Sequence, residues 1–221
     1  MRLLGPLEAR VLGVLVEKQS TVPDTYPMSL NALVSGCNQK TARWPVTEAS
    51  ETEVLGAIEG LKALSLVFEG SSSRVVKFEH NTGRALKLPA QAVALLAVLM
   101  LRGPQTSAEL RLNSERLHRF ADISSVEGFL DEMAAREPPL VLKLPRAAGA
   151  REARWAHLLC GEPAPTAPAP VAAGLSRAGL AEAAFDTGEL SALRAEQTRL
   201  AAEVAELKSL VHRLARELGV E

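Results

Sequence analysis

Apolar residues recur at helical spacing from the start of the chain. In "PLEARVLGVLVEKQS", residues 6–20, Leu7, Val11, Val14 and Leu15 share one face, which predicts an amphipathic helix. Pro6 suits its first turn, where a missing N–H costs nothing. "TVPDTYP" then breaks the pattern with two prolines. Ser29 stands at the capping position of "LNALVSGCN", whose inner side is Leu30, Leu33, Val34 and Cys37. A third helix is predicted from Ser50, which has capping-box spacing with Glu53. Val54, Leu55, Ile58, Leu61 and Leu64 make its inner face. In "LVFEGSSSRVVKFEH" the pattern becomes strand, Gly/Ser turn and strand.

The same order of elements then returns. "PAQAVALLAVLMLRG" is a second, more apolar first helix, ended by Pro104. Thr106 and Glu109 have capping-box spacing and open "SAELRLN". The basic segment "SERLHRFAD" follows. Ser124 and Glu127 have the same spacing and are expected to open "SVEGFLDEMAAR", in which Val126, Leu130 and Met133 echo Val54, Ile58 and Leu61. "PLVLKLPRAAGAREARWAHLL" is again strand, loop, strand, with a longer basic tip. Three helices and a hairpin are the plan of a winged helix. The expected fold class is therefore mainly α (α+β): two tandem winged-helix domains, 1–88 and 89–161, followed by a C-terminal coiled-coil helix.

Between the second domain and that helix, 162–188 opens with "EPAPTAPAPVAAG", which cannot build a core and reads as an extended linker. From 189 to 221 the pattern is heptad. Leu190, Gln197, Val204, Val211 and Leu218 share one seam position, and Leu193, Leu200, Leu207 and Leu214 the other. Valine at a with leucine at d favours a parallel two-stranded coil, so a homodimer is expected, with Gln197 as the polar register-fixing residue. The alternative is one amphipathic helix folded back on its own domains.

Composition narrows the function classes. The 221 residues are 47% hydrophobic but only 4% aromatic, so the core must be Leu, Val and Ala. The formal net charge is −1, which excludes coating nucleic acid by bulk charge and leaves only local basic patches. The two cysteines, Cys37 and Cys160, form no Cys-x-x-Cys pair, and the four histidines have no ligand spacing. Charges inside the first apolar run do not fit a signal peptide, and "AVALLAVLMLRG" is too short to span a bilayer. A cytoplasmic protein with reduced thiols and no membrane association is expected. No phosphate-binding Gly-rich loop and no Gly-x-Ser-x-Gly elbow occur. His118 near Glu115 and Asp122 reads as a packed or solvent-facing histidine. Neither an enzyme nor a cofactor is expected.

Several stretches carry a family likeness. "PLEARVLGVLVEK", "YPMSLNALVSGCNQK", "SRVVKFEH", "LRGPQTSAELR" and "RLHRFAD" resemble the YceH family of uncharacterised bacterial proteins, over roughly residues 6–161. The resemblance implies tandem winged helices, often with a C-terminal coil, and implies no activity. The chain departs from that family at 41–44. Thr41, Ala42 and Trp44 stand where the family carries Ser, Asn and Glu, while Lys40 and Arg43 remain. The loss of the Asn side chain at Ala42 puts base reading from that position in doubt.

A winged helix usually sends its third helix into the major groove. Here the third helices carry Glu51, Glu53 and Glu59 against Lys62, and Glu127, Asp131 and Glu132 against Arg136, so both would be repelled by phosphates. The basic residues gather beside them: Lys40, Arg43, Arg74 and Lys77 in the first domain, and Arg111, Arg116, Arg119, Arg146, Arg151 and Arg154 in the second. One expectation is a dimeric DNA-binding protein or transcriptional regulator that meets double-stranded DNA through loops and wings. The other is a protein-interaction adaptor without DNA binding, anchored on a protein partner by Trp44 and the apolar side of the first hairpin.

Overall fold

The computed structural model describes residues 2–70, 75–146 and 151–163. Helix α1, Pro6–Thr21, takes proline at its first position and closes its N-terminus with the Glu8 carboxylate on the Gly5 N–H. A 3-10 turn at Pro23–Thr25 leads to a two-residue strand β1, Met28–Ser29. Ser29 then caps α2, Leu30–Cys37, accepting from the Ala32 N–H. Helix α3, Glu51–Ala63, begins with the Ser50/Glu53 capping box. Strands β2, Val67–Gly70, and β3, Lys77–His80, pair antiparallel, and β1 adds to the other edge of β3. A short helix α4, Thr82–Leu86, joins the halves.

The second half repeats the order. Helix α5 is Ala90–Arg102, α6 is Ser107–Asn113 with the Thr106/Glu109 box, and α7 is Ile123–Ala134. Strands β4, Val141–Lys143, and β5, Trp155–His157, form a second antiparallel pair. The fold is thus mixed α/β, with seven α-helices and two small antiparallel sheets among the described residues.

Four sequence expectations need correction. Leu55 is exposed, and Ala57 takes its place on the inner face of α3 beside Val54, Ile58 and Leu61. Helix α7 starts at Ile123, because Asp122 caps it by accepting from the Ser125 N–H at 2.7 Å. Aspartate caps as well as serine does, so Ser124 falls inside the helix and Glu127 accepts instead from Ser107 Oγ at 3.1 Å. Strand β1 and helix α4 have no counterpart in the predicted elements, being too short for a periodic signal. The first helix was expected to bury one stripe, yet α1 buries every residue from Glu8 to Val16.

That all-round burial has a simple cause: α1 and α5 pack on one another, so each is covered on the side away from its own repeat. Gly13 permits the approach, since a Cβ there would lie 2.9 Å from Leu101 Cγ. One hydrophobic cluster runs from Leu4 to Leu159 through both repeats. Burying leucine-sized side chains contributes about 1.5–3 kcal/mol each, and Leu12, Leu15, Leu95, Leu96 and Leu99 of these two helices are wholly enclosed. The Leu4 N–H to Leu159 carbonyl bond, 2.7 Å, ties the chain's beginning to the second hairpin. Arg136 donates to the carbonyls of Leu86 and Lys87, at 2.8 and 3.2 Å, and so caps α4. The described residues belong to one compact unit. The heptad positions from Leu190 to Leu218, and Arg74, lie outside the described residues.

Candidate nucleic-acid or partner interface

The segment 38–49 between α2 and α3 holds three of the candidate contact residues, and the structure divides them. Lys40 is exposed. Arg43 is buried, at 6% exposure, and so leaves the surface on which a partner could be met. Its guanidinium forks onto Glu17 of α1, with Nη1–Oε1 at 3.1 Å and Nη2–Oε2 at 2.6 Å. Its Nε donates to the Gly36 carbonyl at 3.0 Å and its Nη1 to the Ala42 carbonyl at 2.9 Å. Burial pushes the Glu17 carboxyl up, but the bonds and charge of Arg43, helped by Lys18, outweigh it and hold Glu17 below the usual carboxylate range. A planar fork matched to a carboxylate is what makes arginine tolerable inside a protein.

Trp44 is half-buried. Its backbone N–H donates to the Leu101 carbonyl at 2.8 Å, and its ring lies over Gly103 at the end of α5. A Cβ on Gly103 would fall 2.6 Å from Trp44 Cε3, and Gly103 has φ +75°, so only glycine fits. Trp44 therefore joins the two repeats while part of its side chain stays exposed.

In the second repeat the candidates are less engaged. Arg116 and Arg119 are exposed in the segment after α6, and Arg146 and Arg151 are exposed on the hairpin. Arg111 is half-buried and donates to the Ala121 carbonyl at 3.0 Å. Arg154 is spent within the fold, bonded to Pro104 O at 2.8 Å and to Glu109 at 3.2 Å. Lys77 on β3 is half-buried. Sequence reading missed Lys143, exposed on β4 with its ammonium 5.2 Å from the centre of the Trp155 ring.

The third helices keep their acid outward. Glu51, Glu53 and Glu59 are exposed on α3, and Asp131 and Glu132 on α7. Lys62 is held by Glu59 at 3.0 Å and Glu69 at 2.6 Å, so its charge is engaged within the fold. The first repeat also exposes Leu55, Phe68 and Val76.

Between the repeats, lined by residues of both, lies a cavity of about 270 Å³. Arg10, Trp44, Met100, Ala156, His157 and Cys160 are in its walls. No sequence signal pointed to it, because its lining comes from separate stretches of chain. Two half-buried histidines are shifted the same way: desolvation depresses both His80 and His157 to about 4. At His80 the Thr82 N–H faces Nδ1 at 3.4 Å, so Nε2 carries the proton and donates to Gln19 Oε1 at 2.8 Å. His118 packs edge-on against Phe120, ring centres 4.7 Å apart. Burial pushes the Cys37 thiol up to about 11. Among the described residues no group of three His, Cys, Asp or Glu is placed to hold a metal ion, and no helix is long and apolar enough to cross a membrane.

Residues 4–150 match the family model described as "Protein of unknown function, DUF480". The chain is 65% identical over 222 residues to a UPF0502 protein of Burkholderia pseudomallei strain K96243, covering 100% of this chain and 92% of the relative. It is 66% identical over 221 residues to a UPF0502 protein of Burkholderia multivorans and 64% identical over 221 residues to one of Burkholderia cenocepacia, with the same coverage of each chain.

Proposed function

The chain belongs to the DUF480 family of bacterial proteins (UPF0502), and from that premise we propose that it is a DNA-binding protein built of two winged helices. It meets the duplex through the loop and wing of its second repeat and not through either third helix. The observation that carries this reading is the exposure of Arg116, Arg119, Arg146 and Arg151 beside a third helix whose own exposed charges are acidic. Arginine on a loop and a hairpin can neutralise phosphates while α7 stands off the groove. Pairing of two chains through the heptads of 189–221 would double the modules and raise their effective concentration.

Binding to labelled random duplex DNA across salt tests the reading. A protein that neutralises several phosphates loses affinity steeply as salt rises, with a slope of about 0.9 per phosphate. Replacing Arg116, Arg119, Arg146 and Arg151 by Ala should flatten that slope by about 0.9 for each phosphate no longer neutralised. Salt-independent binding, or none at low salt, would sink the proposal.

A second reading is an adaptor that docks a protein. The exposed Phe68, Val76 and Leu55, on a repeat with an acidic α3, favour it. Capture from cell extract of a stoichiometric partner, abolished by Phe68→Ser but retained by the four-arginine variant, would select this reading over DNA binding.

A further inference from the structure

We propose that the cavity between the two repeats is a binding site for a small organic anion: a carboxylate carried on a compact apolar body of one or two rings. The volume is suited to that size. A dry cavity of roughly 150 Å³ takes one benzene ring, and this one measures about 270 Å³. Ala9, Leu99, Met100, Ala156 and the Trp44 ring supply apolar wall.

The charge comes from Arg10. It lies on α1, is only 4% exposed, and is in the cavity lining. Its Nη2 donates to the Pro45 carbonyl at 2.6 Å, but its Nη1 has no hydrogen-bond partner. None of the ion pairs among the described residues includes Arg10, in contrast to Arg43 nearby, whose charge Glu17 matches. Burial, then the neighbouring Arg43 charge, pulls Arg10 below the usual arginine range. His157, in the same lining, also leaves Nδ1 unbonded. A buried guanidinium N–H without an acceptor is rare and costly, and a carboxylate is its best-matched acceptor. Glu162 is the one acidic residue in the lining and is exposed, so it does not neutralise the buried end.

A ligand seated there would touch α1, the 38–49 segment, α5 and β5 together. Occupancy should therefore stabilise the fold by mass action. The site is independent of the DNA-binding proposal.

The test uses the full chain, with 2-naphthoate as the anionic probe and 2-naphthylmethanol as its uncharged counterpart. Calorimetric titration and thermal melting of the unmodified protein are the first readouts. The acid should bind at least tenfold more tightly than the alcohol and raise the melting temperature. Arg10→Met keeps the buried stem and should abolish that preference; Arg10→Lys should retain part of it. Absence of binding by both probes, or equal binding of acid and alcohol, would overturn the proposal without any variant. A folded Arg10→Met protein, checked by circular dichroism, that still prefers the acid would overturn it too.

Discussion

The two repeats share an order of three helices and a hairpin, and treat their basic loops in opposite ways. In the first, Arg43 turns inward and is consumed by Glu17; in the second, Arg116 and Arg119 stay in water. The cause sits on the preceding first helix. Helix α1 carries Glu17 near its end, while "AQAVALLAVLMLR" of α5 has no carboxylate to receive an arginine. A loop arginine goes inside only where a partner has already been placed, because an unpaired buried charge costs several kcal/mol. Repetition of a plan is thus no guide to which of its surfaces is free.

The comparison is broken most severely at Glu17. Glu17→Ala should cost about 3–5 kcal/mol, since it strands Arg43 in the interior, whereas Arg119→Ala should change stability by less than about 0.5 kcal/mol. Urea unfolding of the two variants measures the contrast, and equal midpoints would remove the distinction between the loops.

Acid sharpens it on the second hairpin. His157 holds a folded pKa of about 4, below its unfolded value of 6.5, so the unfolded state binds more protons between those values. Stability should be complete above pH 6.5 and fall towards pH 4, by up to ~3 kcal/mol for this group. His80, depressed to about 4 in the first repeat, acts in the same direction over the same window. The Glu17 contribution is lost only at lower pH, as its depressed carboxyl is protonated. His157→Phe should flatten the upper part of the stability–pH curve; an unchanged curve would show that His157 is not buried neutral.

Smaller effects follow where the repeats touch. Gly103→Ala should cost about 1–3 kcal/mol from the left-handed φ, with further destabilisation from the clash against Trp44. Adding Trp44→Ala should relieve only the clash, so the double variant should be less destabilised than the sum of the singles. At α7, Asp122→Ala should lower the urea midpoint where Ser124→Ala leaves it nearly unchanged, since Asp122 caps the helix.

Much of the local structure was written in the chain. The longer helices, both hairpins, and the caps at Ser29, Ser50 and Thr106 follow from apolar spacing and from side chains that satisfy the first free N–H groups. Such signals act over three or four residues, so sequence carries them whole. Asp122 and Ser124 are two capping side chains two residues apart; Asp122 takes the cap, and Glu127 accepts from Ser107. The acidic character of both third helices was equally legible, because exposed charge on a helix needs no partner to be recognised.

Tertiary structure alone decided the rest. That α1 and α5 pack together, that Arg43 lies inside, that Trp44 rests on Gly103, and that Arg10 borders an apolar cavity all depend on residues far apart in the chain meeting in space. Periodicity says which face of a helix is apolar, but not what will cover it. It identifies an arginine, but whether that arginine faces water or a buried carboxylate depends on the neighbour the fold supplies.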